Sequence, residues 1–129
     1  MTIAVAHSDS ARGKAALRAG AEEALRRNQS LAVLQIVPGV DEPTKVDEKL
    51  KAEVAAQLTD FPDLQWEVLN APEGFDTAEA ILELAEDAGA ELLVIGSRKR
   101  RPVGKLILGS VVQRVLLESH IPILVVKAS

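Results

Sequence analysis

The segment VIGSRKRRPVGKLILGSVVQRV, residues 94–115, links an apolar run to an amphipathic run through a strongly basic loop. The apolar run closes on Gly96-Ser97, four basic residues follow directly, and a second pair, Gly109-Ser110, begins a predicted helix. A buried strand followed by a loop and a helix is the repeating unit of parallel α/β proteins. The segment therefore predicts such a fold, with a loop that either cradles phosphate or forms a charged surface connection.

The rest of the chain repeats this unit. Short aliphatic runs predict strands, and apolar residues that recur at three- and four-residue steps predict helices. The predicted strands cover residues 2–7, 31–37, 64–69, 92–95 and 122–126, and the predicted helices cover residues 10–27, 41–59, 77–88 and 108–119. The alternation indicates an open parallel five-stranded sheet with helices on both faces, in one domain spanning residues 1–129.

Three residues carry specific structural predictions within this framework. Gly20 lies on the apolar face of the first predicted helix, which indicates close packing against the sheet. Asn28 follows the first helix and Gly89 follows the third, and both residue types favour a helix end.

Composition limits the classes of function. The chain has no cysteine, a formal net charge of −4 and only 2% aromatic residues, which disfavours thiol chemistry and nucleic-acid binding. No apolar run approaches the roughly 20 residues of a membrane helix, and no secretory signal is visible, so we expect a cytoplasmic protein without membrane contact. Two well-separated histidines and no cysteine predict no metal site.

The basic loop departs from two common phosphate-binding motifs. In the basic loop, Gly104-Lys105 is followed by Leu106 and therefore fails the P-loop pattern. The dinucleotide fingerprint would lie after the first strand, but the segment after Val5 holds a single glycine, Gly13. The remaining signal is a helix start, where unpaired N–H groups attract phosphate. Five of the fifteen Lys and Arg residues lie within residues 98–105. A capped strand-to-helix loop with a solvated basic face explains the same residues, and the residues alone favour this interpretation.

These residues nevertheless resemble a known family. Gly96, two residues, Lys99, nine residues and Gly109-Ser110 are similar to the Gly-x2-Gly-x9-Gly-Ser/Thr motif of ATP-binding universal stress proteins. The closing SVVQRVLLESHIPILVVK and the opening IAVAHSDSARGKAALRAGAEEAL resemble the same family, so the resemblance covers the whole chain. It implies strand order 3-2-1-4-5 and a Rossmann-like fold of the adenine nucleotide alpha hydrolase type.

The resemblance also implies a function and a site. A universal stress protein would bind ATP or AMP, with Mg²⁺ accompanying ATP, and act as a stress-response regulator that dimerises through its C-terminal strand. No catalytic base is recognisable, so we do not expect an enzyme. By resemblance, the residues that would border the nucleoside are Ala6, His7, Ser8 and Val37. Gly96 and Gly109 would let the backbone approach the ligand, and Ser110 and the Val111 N–H would receive phosphate. Arg98 or Lys99 would supply positive charge.

Two positions depart from the family pattern and keep an alternative open. Lys99 stands where the motif has its second glycine, and Ser8 stands where nucleotide-binding members usually carry an aspartate. The alternative is a dimeric member that binds no nucleotide and presents the loop of residues 98–101 to a protein partner. A small hydrolase built on the same loops is a third hypothesis, although no nucleophile-elbow pattern supports it.

Overall fold

Four helices and six strands make up the part of the chain that the computed structural model describes, namely residues 2–7, 11–35, 48–70, 76–99, 106–107 and 110–128. In chain order they are β1 (Thr2–His7), α1 (Ala11–Arg26), β2 (Ser30–Gln35), α2 (Glu48–Gln57), β3 (Trp66–Asn70), α3 (Thr77–Asp87), β4 (Ala90–Lys99), β5 (Leu106–Ile107), α4 (Ser110–Glu118) and β6 (Ile123–Ala128).

Five parallel strands lie in the order β3-β2-β1-β4-β6, so the predicted order 3-2-1-4-5 is confirmed with β6 as the fifth parallel strand. The short strand β5 is an addition, antiparallel to the end of β4. Arg98 pairs both with Ala128 of β6 and with Ile107 of β5, and a strand has only two edges. Consequently β5 lies on the edge of β4 that faces β1, beyond the end of the β1–β4 ladder.

Two apolar clusters pack on opposite faces of the sheet. Residues of α1 and α2 cover the face that carries Val5 and Val33, and residues of α3 and α4 cover the face that carries Ala4 and Leu34. Alternate strand residues point to opposite faces, so the nearly continuous aliphatic sequence of β2 is explained by burial on both sides. The helix after β1 and the helix after β4 therefore lie on opposite faces of the sheet, and a ligand crevice forms at such a switch point in this class of sheet.

Gly20 sets the distance between α1 and the sheet. A β-carbon placed on Gly20 would lie 3.3 Å from the Val5 β-carbon and 3.3 Å from Cδ1 of Leu31. The close packing expected from the sequence is confirmed, because no side chain separates this turn of α1 from β1.

The predicted helix ends are also confirmed. Asn28 follows α1 with a φ of 56°, and Gly89 follows α3 with a φ of 68°. Asparagine and glycine are the residues that adopt this left-handed conformation most readily. The Gly89 N–H also donates to the carbonyl of Glu86, which satisfies one of the free acceptors at the end of the helix.

Candidate functional site

The carboxyl edge of the sheet places several predicted site residues in one row. His7 of β1 lies opposite Gln35 of β2, and Gln35 lies opposite Asn70 of β3. The β1–β4 register, continued by two residues, sets His7 level with Gly96. Ala6 precedes His7 and packs against the cluster beneath α3 and α4. Ala6 and His7, which are predicted to border the nucleoside, and the motif glycine Gly96 therefore lie at the same edge of the sheet.

The strand that leads into the basic loop is longer than the sequence indicated. Its predicted end at residue 95 is wrong, since β4 continues to Lys99. Gly96 is buried and lies opposite Val126 of β6, and Arg98 lies opposite Ala128. The backbone that was expected to leave the sheet at Gly96 stays in it through Lys99, because pairing with β6 and β5 holds it extended.

Helix α4 follows β4 and β5 in the chain. Ser110 is its first residue and is exposed to solvent, whereas Val111 is half-buried against the cluster beneath α3 and α4. Val112 and Val115 are buried in the same cluster and fix the helix to the sheet. The first turn of a helix has N–H groups without an intrahelical acceptor and carries a partial positive charge. An anion that reaches Ser110 would therefore find donors already in position.

An ion-pair network joins the start of α3 to α4. The Asp76 carboxylate caps α3 by accepting from the Glu79 N–H at 2.8 Å, and its second oxygen accepts from Arg114 at 2.5 Å. Arg114 also lies 3.7 Å from Glu79 and 3.3 Å from Glu118. The hydrogen bond from the Glu79 N–H lowers the pKa of Asp76 most, and the hydrogen bond from Arg114 lowers it further. The carboxylate therefore stays charged over a wider pH range. The network holds the second turn of α4, and with it Ser110, against α3.

Three predicted site residues, Ser8, Val37 and Gly109, lie outside the described residues. The side chains of His7, Arg98 and Lys99 lie outside them as well, although their strand backbone is described. The roles assigned to all of these residues stay predictions.

Sequence reasoning missed three buried polar residues near this edge. Gln35, Asn70 and Ser97 are 2%, 4% and 1% exposed, and each lies in the last residues of its strand. Gln35 is also a polar interruption in the otherwise aliphatic run of β2, which was the available signal. A buried amide is costly unless it forms hydrogen bonds, so such an interruption at a carboxyl end indicates a site residue as readily as a packing defect.

The described ranges contain no group of three His, Cys, Asp or Glu side chains arranged to hold a metal ion. Within the same ranges, none of the helices combines the length and the apolar character needed to cross a bilayer.

Comparison with known proteins gives this geometry a family. The model of the universal stress protein family matches residues 73–127, which include α3, β4, α4 and most of β6. A universal stress protein of Mycolicibacterium smegmatis is 42% identical over 130 residues, which cover 97% of this chain and 96% of that protein.

Solved structures agree with the sequence comparison. A universal stress protein from Archaeoglobus fulgidus superposes with a TM-score of 0.75 at 30% identity, covering 100% of this chain and 98% of that one. A structure of the universal stress protein from Archaeoglobus fulgidus in complex with dAMP superposes with a TM-score of 0.71 at 25% identity and the same coverage. The sequence similarity over nearly the whole chain and the shared fold agree with each other. The chain therefore belongs to the universal stress protein family.

Proposed function

We propose that this protein binds an adenine nucleotide at the carboxyl ends of β1 and β4 and acts as a stress-response regulator. The observation that carries the proposal is the start of α4, where Ser110 is the first helical residue and is exposed to solvent. A second line of support is the related structure from Archaeoglobus fulgidus that holds dAMP.

The described residues fit a phosphate group. The Ser110 hydroxyl and the first N–H groups of α4 offer hydrogen-bond donors to phosphate oxygens. In the proposed site, Arg98 and Lys99 supply positive charge at the end of β4, while Ala6, His7, Ser8 and Val37 border the nucleoside. Gly96 and Gly109 allow the backbone to approach the ligand. If ATP is the nucleotide, Mg²⁺ is bound mainly by phosphate oxygens and water, as is usual for this ion.

We also propose that the role is binding and not catalysis. Regulation by nucleotide occupancy needs a ligand-dependent change in a surface, and it needs no general base. Release of inorganic phosphate from ATP above the rate in buffer would contradict this part of the proposal.

The proposed assembly is a homodimer paired through β6. Within the described residues β6 pairs with β4 alone, which makes it an edge strand. Its Leu124 is 37% exposed, and Leu117 on the neighbouring segment α4 is 85% exposed. An aliphatic edge strand next to exposed leucines invites pairing with a second chain, and a two-fold dimer is the commonest soluble assembly.

The second candidate function is a dimeric interaction module that has lost nucleotide binding. Two observations favour it: Lys99 in place of the motif glycine, and the additional β4–β5 pairing at Arg98 and Lys99. This pairing lies on the β1 side of β4, next to the crevice that a nucleotide would occupy. In this alternative the basic loop contacts a protein partner.

Isothermal titration with ATP, AMP and inorganic tripolyphosphate separates the two candidates. Saturable binding of a nucleotide supports the first function, and the absence of heat with both nucleotides supports the second. The test variant is Ser110→Asp. Its control is Thr59→Asp, at an exposed residue just past the carboxyl end of α2. An aspartate at a helix start stabilises the helix but repels phosphate. We therefore expect Ser110→Asp to abolish nucleotide binding in a protein that melts no earlier than wild type, while Thr59→Asp binds normally.

A further inference from the structure

The carboxamide of Gln35 is buried and has no hydrogen-bond partner in the described part of the chain. The residue is 2% exposed, and neither its Nε2 nor its Oε1 bonds to any described residue. Asn70, the residue opposite in β3, is 4% exposed and forms a second buried amide. Amides inside proteins are almost always hydrogen-bonded, and an exception in a native fold calls for an explanation. A ligand that arrives from the carboxyl edge would supply the missing partner.

Gln35 lies at the carboxyl edge of the sheet, two strands away from β4. Gln35 is the last residue of β2, level with His7 of β1 and therefore with Gly96 of β4. Two strand spacings separate Gln35 from Gly96, which amounts to about 10 Å. A nucleotide with its phosphate beside β4 and α4 would extend its base across β1 toward β2.

The two faces of the sheet allow the ligand to cross in this direction. Gln35 alternates with Val33 and Leu31, so it lies on the face covered by α1 and α2. Ser110 begins a helix on the opposite face. Helices on opposite faces diverge at the β1–β4 switch point, so one ligand can place its phosphate at α4 and its base on the side of Gln35.

We propose that the Gln35 carboxamide recognises the base of the nucleotide by bonding the 6-amino group of adenine and the adjacent ring nitrogen. Oε1 accepts from the amino group, and Nε2 donates to the ring nitrogen. Glutamine pairs with adenine in this bidentate manner in protein–DNA complexes. A purine without the 6-amino group leaves Oε1 unpaired in a buried place. This inference rests on the proposed nucleotide binding and adds to it the residue that selects the base.

The test combines removal of the amino group from the ligand with removal of the amide from the protein. AMP and purine riboside 5′-monophosphate, which lacks the 6-amino group, are titrated into wild type, Gln35→Met and Gln29→Met. Gln29 is a matched control because its partly buried amide lies before β2, at the opposite end of the sheet, and donates to Glu91. We expect wild type and Gln29→Met to prefer AMP by roughly tenfold or more, and Gln35→Met to bind both ligands within about twofold.

Two further readouts separate the possible failures. Tripolyphosphate should bind wild type and Gln35→Met equally, since it has no base. Without ligand, Gln35→Met should unfold at the same urea concentration as wild type or a higher one, because an unpaired amide has been replaced by an apolar chain of similar shape.

Four results would overturn the inference in distinguishable ways. If wild type binds tripolyphosphate but neither nucleotide, the proposed nucleotide function fails and the inference fails with it. If wild type binds AMP and the analogue equally, or if Gln35→Met keeps the preference for AMP, nucleotide binding stands and Gln35 does not select the base. A Gln35→Met protein that is unfolded or clearly less stable without ligand would show that the amide is bonded within the protein.

Discussion

Replacement of Gly20 by alanine tests how tightly α1 lies on the sheet. The new β-carbon would lie 3.3 Å from the Val5 β-carbon and 3.3 Å from Cδ1 of Leu31. Leu31 can rotate its terminal methyl away, but the Val5 β-carbon is attached to the backbone of β1. That strand is paired with β2 on one edge and β4 on the other, so it cannot move aside.

Two opposing effects set the magnitude. Alanine is favoured over glycine inside a helix by about 1 kcal/mol. Inserting a carbon atom into a well-packed contact costs typically about 1–3 kcal/mol. We expect the packing effect to dominate, with a net loss of about 1 kcal/mol in the free energy of unfolding and a melting temperature about 4 °C lower.

Urea unfolding followed by far-UV circular dichroism measures this loss. The control is the pair Lys14→Ala and Lys14→Gly, at an exposed residue of the same helix, where alanine should exceed glycine by up to about 1 kcal/mol. If Gly20→Ala stabilised the protein by a similar amount, α1 would have free space above β1 and the packing described here would be incorrect.

Three other predictions concern the helix ends, pH and assembly. Gly89 has a φ of 68°, which alanine adopts only at a cost, so Gly89→Ala should lower the free energy of unfolding by about 1–2 kcal/mol. Gly89→Asn should lower it less, because asparagine tolerates this conformation better. Equal losses for the two variants in urea unfolding would show that the backbone conformation is not the cause. The lowered pKa of Asp76 means that its charged form stabilises the fold above the unfolded pKa and that this contribution disappears as pH falls through the folded pKa. The stability advantage of wild type over Asp76→Asn should therefore persist from pH 7 to about pH 4 and vanish below it, whereas an advantage that grows in acid would contradict the sign. Light scattering at micromolar concentration should give twice the chain mass of 13.8 kDa for wild type and the single mass for Leu124→Glu; a monomeric wild type would refute pairing through β6.

Sequence patterns were sufficient to predict the individual strands and helices because apolar periodicity and helix-end residues depend on local chemistry. The alternation of strands and helices, the packing role of Gly20 and the helix ends at Asn28 and Gly89 all follow from patterns within a few residues of each position. Strand order came from the family resemblance, since the sequence alone states which strands exist but does not state which strands are neighbours.

The site was less accessible to sequence reasoning. A glycine followed by polar residues indicates a strand end, yet β4 continues through Gly96 to Lys99 because β6 and β5 supply partners for its backbone. β6 is distant in sequence, β5 is a two-residue strand a few residues further on, and nothing within residues 96–99 indicates either partner. The row formed by His7, Gln35 and Asn70 likewise depends on register, which is a property of the assembled sheet.

The most direct test of the account is the location of AMP on the protein. Amide chemical-shift changes in ¹H–¹⁵N spectra during titration with AMP report which backbone groups sense the ligand. We predict saturable changes at His7, Gln35, Gly96 and Ser110, with Gln29 and Glu91 at the opposite end of the sheet unchanged. Changes confined to other surfaces, or no changes at millimolar AMP, would contradict nucleotide binding at the carboxyl ends of β1 and β4.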